Sequence, residues 1–207
     1  MRTKTPLQAE KILNAAGRLF GTQRFHEVRM DDIAGEAEVG KGTLYRYFSD
    51  KEELYLALLA RASEQFLQRL VTEMERAGQP RARLEALVAA CIAYFDEHPH
   101  LLDLIQRAEV QRPAGSEFPW QHARDQVQKQ VLELFDEART RGDFSVRDPE
   151  VMALILLGGL RGVMRFSKPP RAHDLARRIV DNFLDGVNRP QSADDNAKRS
   201  CAFAESN

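Results

Sequence analysis

Residues 30–48, Met-Asp-Asp-Ile-Ala-Gly-Glu-Ala-Glu-Val-Gly-Lys-Gly-Thr-Leu-Tyr-Arg-Tyr-Phe, constrain the fold more than any other stretch. Ile33, Ala34 and Ala37 recur at helical spacing and give a first short helix one apolar face, while Val39 falls in a turn where it can plug the angle to the next helix. Leu44 and Phe48, four apart, hold a second helix against the same small core. That leaves Lys41, Gly42, Thr43, Tyr45, Arg46 and Tyr47 on its free face. Donors, hydroxyls and a glycine that lets the backbone come close suit phosphates and base edges, so the segment predicts a helix-turn-helix aimed at DNA. The competing reading is an ordinary solvated helix of a three-helix domain, and the flanking segments decide between the two.

Upstream, Ile12, Ala15, Ala16, Leu19 and Phe20 follow the three-four rhythm of an amphipathic helix that ends around Gly21 to Phe25. Downstream, Ser49-Asp-Lys-Glu52 has the pattern of a capping box and opens a long helix through Leu54, Leu58 and Leu59. Four blocks, Ile12-Leu-Asn-Ala-Ala-Gly-Arg-Leu-Phe20, Asp32-Ile-Ala34, Lys41-Gly-Thr-Leu-Tyr-Arg-Tyr-Phe48 and Lys51-Glu-Glu-Leu54, stand in an order and spacing that resembles the amino-terminal domain of TetR-family transcriptional regulators. The resemblance covers roughly the first quarter of the chain.

The resemblance implies that 41–47 is the recognition helix, with Gly42 and Thr43 near base edges, Tyr45 and Tyr47 on phosphates, and Lys51 offering a charge to the DNA backbone. Lys41 shares that face, and Arg46 suits either role. Tyr45 packed on the first helix and Lys51 as a solvated cap residue are the plain structural alternatives. Two positions depart from the family pattern. Glu38 stands where many members have Gly, so it must accept a left-handed backbone at a cost of about 1 kcal/mol or shift the turn. Arg29 stands where Thr often caps, which removes a side-chain cap but offers a phosphate contact, while Asp31 and Asp32 still favour that helix end electrostatically.

Net charge is only -1, which excludes a globally basic nucleic-acid binder. DNA affinity must come from a local patch, and Arg2, Lys4, Lys11, Arg18, Arg24 and Arg29 supply one, with Glu10 and Glu27 interspersed. With 207 residues and a 43% hydrophobic fraction, the chain can build a larger helical domain behind the head. Cys91 and Cys201 lie too far apart in pattern for a disulfide framework. Neither a signal peptide nor a membrane-length apolar run is present, so the reading is a soluble cytoplasmic protein without a membrane partner.

Helical segments continue to about residue 187: 54–75, then 84–95 after Gly78 and Pro80, a shorter one from Leu101, another from Trp120 to Ala138, and two at the end. Strand-like alternation is missing, so the chain reads as all-α, with a head over 1–53, an effector-binding and dimerisation domain over 54–188 and a disordered tail over 189–207. Asp148 and Pro149 mark a helix start. Residues 151–157 are apolar nearly all round, and Gly158, Gly159 and Gly162 predict a second helix crossing close by. Helices 150–166 and 171–187 therefore either bury each other inside the monomer or form a four-helix bundle between subunits; the family resemblance implies the second, a homodimer on a near-palindromic double-stranded operator.

The resemblance also implies a small-molecule effector, and the apolar lining suggests a greasy or aromatic one. The candidate lining is Phe66, Cys91, Tyr94, Phe95, Ile105, Phe118, Trp120, Val127 and Val131, with Leu87 and Leu104 in a wider set and Gln106, His98, His100, His122 or Arg161 as polar anchors. Such stripes are more often plain core than a ligand site, so only about half of the apolar set is expected to touch a cavity. Phe118-Pro-Trp120 is either a lid or a clamp on the next helix. His98, His100, His122 and Cys91 lack metal-ligand spacing, and no phosphate loop or nucleophile elbow occurs, so neither a cofactor nor catalysis is expected. The runner-up is a DNA-bound structural protein of the same fold without effector, whose signature would be a partner surface around residues 165–171.

Overall fold

Each stretch with three-four apolar spacing is helical in the computed structural model, which describes residues 5–99, 101–111 and 117–186. Among these there are nine helices and no strand, an all-α chain. Helix α1 (Pro6–Thr22) starts on a proline and buries Ile12, Ala15, Ala16 and Phe20. Helices α2 (Met30–Glu36) and α3 (Lys41–Tyr47) meet across a turn in which Glu38 takes the left-handed conformation, φ 53°. Val39 sits partly buried on the core between them.

Helix α4 (Lys51–Arg76) is 26 residues, about 39 Å at 1.5 Å per residue, and belongs to two cores in succession. Leu54, Tyr55 and Leu59 complete the core of α1–α3, whereas Leu70 and Met74 join the second core. The start of α4 differs by one residue from the sequence expectation: Asp50 caps the helix by accepting from the Glu53 amide at 2.7 Å, and the Ser49 amide and hydroxyl both donate to the Glu53 carboxylate at 2.7 Å. Arg29 provides no side-chain cap to α2, and its amide donates instead to the Asp32 carboxylate at 3.0 Å.

The second core gathers α5 (Pro80–Glu97), α7 (Gln121–Arg141), α8 (Pro149–Phe166) and α9 (Leu175–Asp185). Asp148 caps α8 through the Val151 amide at 3.2 Å, with Pro149 at its first position, as its sequence predicts. Gly78 and Gly142 end α4 and α7 with φ of 76° and 74°, conformations a side chain would strain. Helix α6 (Leu101–Gln111) is the exception to this layering, because its Ala108 is buried in the amino-terminal core and Leu101, Leu104 and Ile105 pack there too.

Two expectations for the last helices need correction. No other part of the described chain approaches Gly158, Gly159 or Gly162 within reach of an added Cβ, so no helix of the same chain crosses there. Instead α8 leaves Val151, Leu154, Ile155 and Phe166 exposed, Phe166 at 85%. The final helix spans 175–185, not 171–187; residues 171–174 form its entry, and 187 onward, with the predicted tail, lies outside the described residues. Its apolar side is not surplus: Leu175, Ile179, Phe183 and Leu184 pack on the second core, with Phe183 stacked on Phe135 at 6.1 Å. Arg171 pairs with Asp96 and donates to the Met164 and Ser167 carbonyls at 3.1 and 2.6 Å, closing the carboxyl end of α8.

Candidate nucleic-acid interface and ligand cavity

Leu44 and Phe48 bury one side of α3, which turns Lys41, Gly42, Tyr45 and Arg46 outward and leaves Thr43 half-buried. Arg29, just ahead of α2, is exposed as well. Lys41 is held 2.6 Å from Asp31 across the turn, and that hydrogen bond and charge raise its pKa above the ordinary lysine value. The carboxylate fixes the ammonium at the start of α3 without burying it.

Tyr47 and Lys51 are placed differently from the expectation that both project toward phosphates. Tyr47 lies three residues from Leu44 on the inward side and is buried. Its hydroxyl accepts from the Thr5 amide at 2.5 Å and donates to Gln8 at 3.0 Å, so it ties the start of α1 to α3. Lys51 donates to the Phe25 and Val28 carbonyls at 2.8 and 2.9 Å and lies 4.4 Å from the Phe25 ring centre. Burial, followed by the charge of Arg107, lowers its pKa. Its ammonium satisfies the loop between α1 and α2, a partnership between residues 23 and 26 apart that local patterning does not reveal.

Behind this head lies a cavity of about 440 Å³ framed by α4–α8. Of the residues expected to line it, Phe66, Cys91, Tyr94, Phe95, Ile105, Trp120 and Val127 do so. Val131 does not, because its position on α7 faces the second core with no exposed surface. Phe118 does not either; it stacks on Trp120 at 4.9 Å and packs on the amino-terminal core, while Trp120 at the other end of the segment reaches the cavity. Leu87 is core and Leu104 faces the head. Among the suggested polar anchors Arg161 lines the cavity; His98 stacks on Tyr94 at 4.5 Å outside it, Gln106 and His122 are exposed, and His100 lies outside the described residues.

The sequence reading missed Ala62 and Ser63 on α4, Glu109 on α6, Arg124 and Gln128 on α7, and Leu154, Leu157, Gly158 and Met164 on α8. One signal was present, since Glu109 is four residues after Ile105 on the same side of α6, and it faces Arg161 of α8. Their side chains meet at 2.5 and 3.0 Å in a two-pronged ion pair. Burial pushes the Cys91 thiol up to about 12, so it is a neutral part of the wall. Among the described residues no cluster of His, Cys, Asp and Glu could hold a metal, and no helix is long and apolar enough to cross a membrane.

The head and the cavity share walls. On α6, Leu101, Leu102, Ile105 and Glu109 line the cavity, while the Leu104 carbonyl accepts the Tyr55 hydroxyl of the head and the Arg107 guanidinium lies 4.0 Å from the Phe25 ring centre. On α4, Leu59 contributes to both.

A helix-turn-helix head that shares helices with a ligand-sized cavity defines the class as a DNA-binding protein with room for a small molecule. Residues 12–58 match the family model for bacterial regulatory proteins of the tetR family, and residues 77–187 match that for the tetracyclin repressor-like C-terminal domain. The chain belongs to the tetR family, whose members are DNA-binding transcriptional regulators and not enzymes. It is 37% identical over 90 residues to the HTH-type transcriptional activator FasR of Mycolicibacterium smegmatis, covering 44% of this chain and 40% of FasR. These alignments span less than half the length of the first curated relatives. Among solved structures, the fatty acid degradation regulator FadR of Bacillus halodurans superposes with a TM-score of 0.72 at 20% identity, over 91% of this chain and 100% of FadR. FadR of Bacillus subtilis in complex with stearoyl-CoA gives 0.70 at 16% identity, over 86% and 99%. At these identities the solved neighbours establish the fold.

Proposed function

We propose that the protein is a homodimeric transcriptional repressor that holds a near-palindromic duplex operator with paired α3 helices and releases it when a small apolar molecule fills the cavity. The observation that carries this reading is the double duty of α6, one side of which walls the cavity while the other holds Tyr55 and Phe25 of the head. A ligand that moves α6 must shift the head, and two heads engage successive major grooves only at a separation of about 34–36 Å or a multiple. Effector and operator then oppose each other by a coupling of about 1–3 kcal/mol, and each weakens the other equally.

DNA contacts are assigned to Arg29, Lys41, Gly42, Thr43, Tyr45 and Arg46, with Tyr47 and Lys51 positioning α3 and the loop before α2 from inside. The homodimer is assigned to the exposed apolar face of α8, where the uncrowded glycines 158, 159 and 162 would let a second copy of the helix approach closely, and to the polar outer side of α9, which packs on α5. The cavity lies within the range of about 300–1,000 Å³ usual for small-molecule sites. Its mainly apolar wall suits an acyl chain or an aromatic, and the stearoyl-CoA in the Bacillus subtilis FadR complex is a ligand of that kind. That cavity favours the ligand-responsive reading over a DNA-bound structural protein, and regulation of this kind places the protein in the cytoplasm.

Fluorescence anisotropy of the purified protein on its own upstream intergenic duplex, against a scrambled duplex and over a salt series, tests the DNA half. Saturable binding confined to the upstream duplex supports a specific regulator; equal binding to both duplexes rejects it in favour of the structural reading.

A further inference from the structure

The cavity wall is mainly apolar, with Ser63, Tyr94 and Gln128 as neutral polar members, and its charged residues are Glu109, Arg124 and Arg161, two cations to one anion. Arg161 commits two nitrogens to Glu109, and this pair, with Arg165 to Asp103 at 2.7 Å outside the cavity, spans the gap between α8 and α6, whose backbones otherwise scarcely approach. Glu109 is 29% exposed, near enough to the surface for its carboxylate to be rehydrated if it lets go. A guanidinium with a carboxylate partner at the edge of an apolar cavity is a ready receptor for another planar anion, because the fork that fits Glu109 fits any carboxylate or phosphate oxygen pair.

We propose that the Arg161–Glu109 pair is the head-group site of the effector: the ligand is an amphipath with an apolar chain and an anionic end, and that end takes the place of Glu109 on Arg161. The proposal rests on the ligand-responsive reading above and specifies it. A neutral ligand leaves the pair closed, whereas an anionic one releases Glu109 and with it one of the two ion pairs that join α6 to α8 among the described residues. Arg107, two residues before Glu109, lies against Phe25 of the head, so the exchange loosens the helix at the end that touches the DNA-binding domain. Discrimination comes from charge at the Arg161–Glu109 pair, and the chain contributes affinity through burial alone.

Trp120 is the chain's one tryptophan and lines the cavity, so its fluorescence reports occupancy directly. Decanoate, decanoyl-CoA and decanol are titrated near neutral pH into the wild-type protein and into Glu109→Gln and Arg161→Gln. Glu109→Gln removes the competing anion and is expected to tighten decanoate or decanoyl-CoA about tenfold, and Arg161→Gln to weaken them about tenfold, with decanol unmoved in both. A response confined to the thioester assigns the anionic end to its phosphates, and a response of decanoate assigns it to a carboxylate; either supports the exchange. If all probes bind and neither variant changes the ratio of anionic to neutral affinity, the head-group proposal fails while the cavity reading stands. If no probe binds in any variant, both fail.

Discussion

Tyr55→Phe removes one link between cavity and head by deleting a single atom. Tyr55 has no exposed surface, and its ring packs edge-on against Phe20 and Phe25 at 6.1 and 5.0 Å, contacts that phenylalanine keeps. What is lost is the hydroxyl that donates to the Leu104 carbonyl of α6. Because that carbonyl lies within a helix and retains its own ladder, the loss falls at the low end of the range for a buried hydrogen bond, about 1 kcal/mol. Urea unfolding is expected to show a lower midpoint with an unchanged slope. If α6 transmits ligand binding through this contact, the factor by which an effector weakens operator binding should shrink about fivefold, the equivalent of about 1 kcal/mol. Operator anisotropy with and without effector measures that factor. A lowered midpoint with the factor intact would refute the reasoning, because the hydrogen bond would then hold the core without carrying the signal.

Tyr45 is half-exposed on α3, so Tyr45→Ala should weaken specific operator binding about tenfold with a change in stability under about 0.5 kcal/mol, read by anisotropy and thermal melting. Ile155 lies on the exposed face of α8 and away from the cavity lining, so Ile155→Glu should yield a folded monomer by sedimentation equilibrium. The Cys91 thiol is neutral in the fold up to about pH 12 but ionises in the unfolded chain near its ordinary value of 9.0. The folded chain therefore holds more protons between those values, and the contribution is fully present below pH 9.0 and lost as pH rises through 12. Cys91→Ala should flatten the alkaline fall in urea-unfolding free energy; an unchanged slope would mean that other groups, the buried tyrosines among them, set it.

The head was legible because its signals are local. Apolar spacing fixed α1–α3, and Glu38 took the left-handed turn its position demands. The cap of α4 slipped by one residue because Ser49 to Glu52 and Asp50 to Glu53 both carry the capping pattern, and the aspartate, the stronger acceptor, took the helix amide. Tyr47 went inward because three residues from Leu44 is as good a helical neighbour as four. Contacts between distant segments were out of reach: Lys51 with the Phe25 and Val28 carbonyls, and Glu109 with Arg161, 52 residues apart. The glycine stripe of α8 was visible, but which surface it serves depends on what α9 covers, and α9 spends its apolar side on the chain's own core.

In the proposed mechanism, cavity and DNA-contacting face are thermodynamically coupled through α6. The most direct measurement is the affinity of one cavity ligand, read by Trp120 fluorescence, for the free protein and for the protein saturated with its upstream duplex. Binding to the DNA-bound form is expected to be weaker by a factor of about 5–150, matched by the same factor in operator affinity when the ligand is saturating. Equal affinity in the two forms, for a ligand that quenches Trp120, would contradict it.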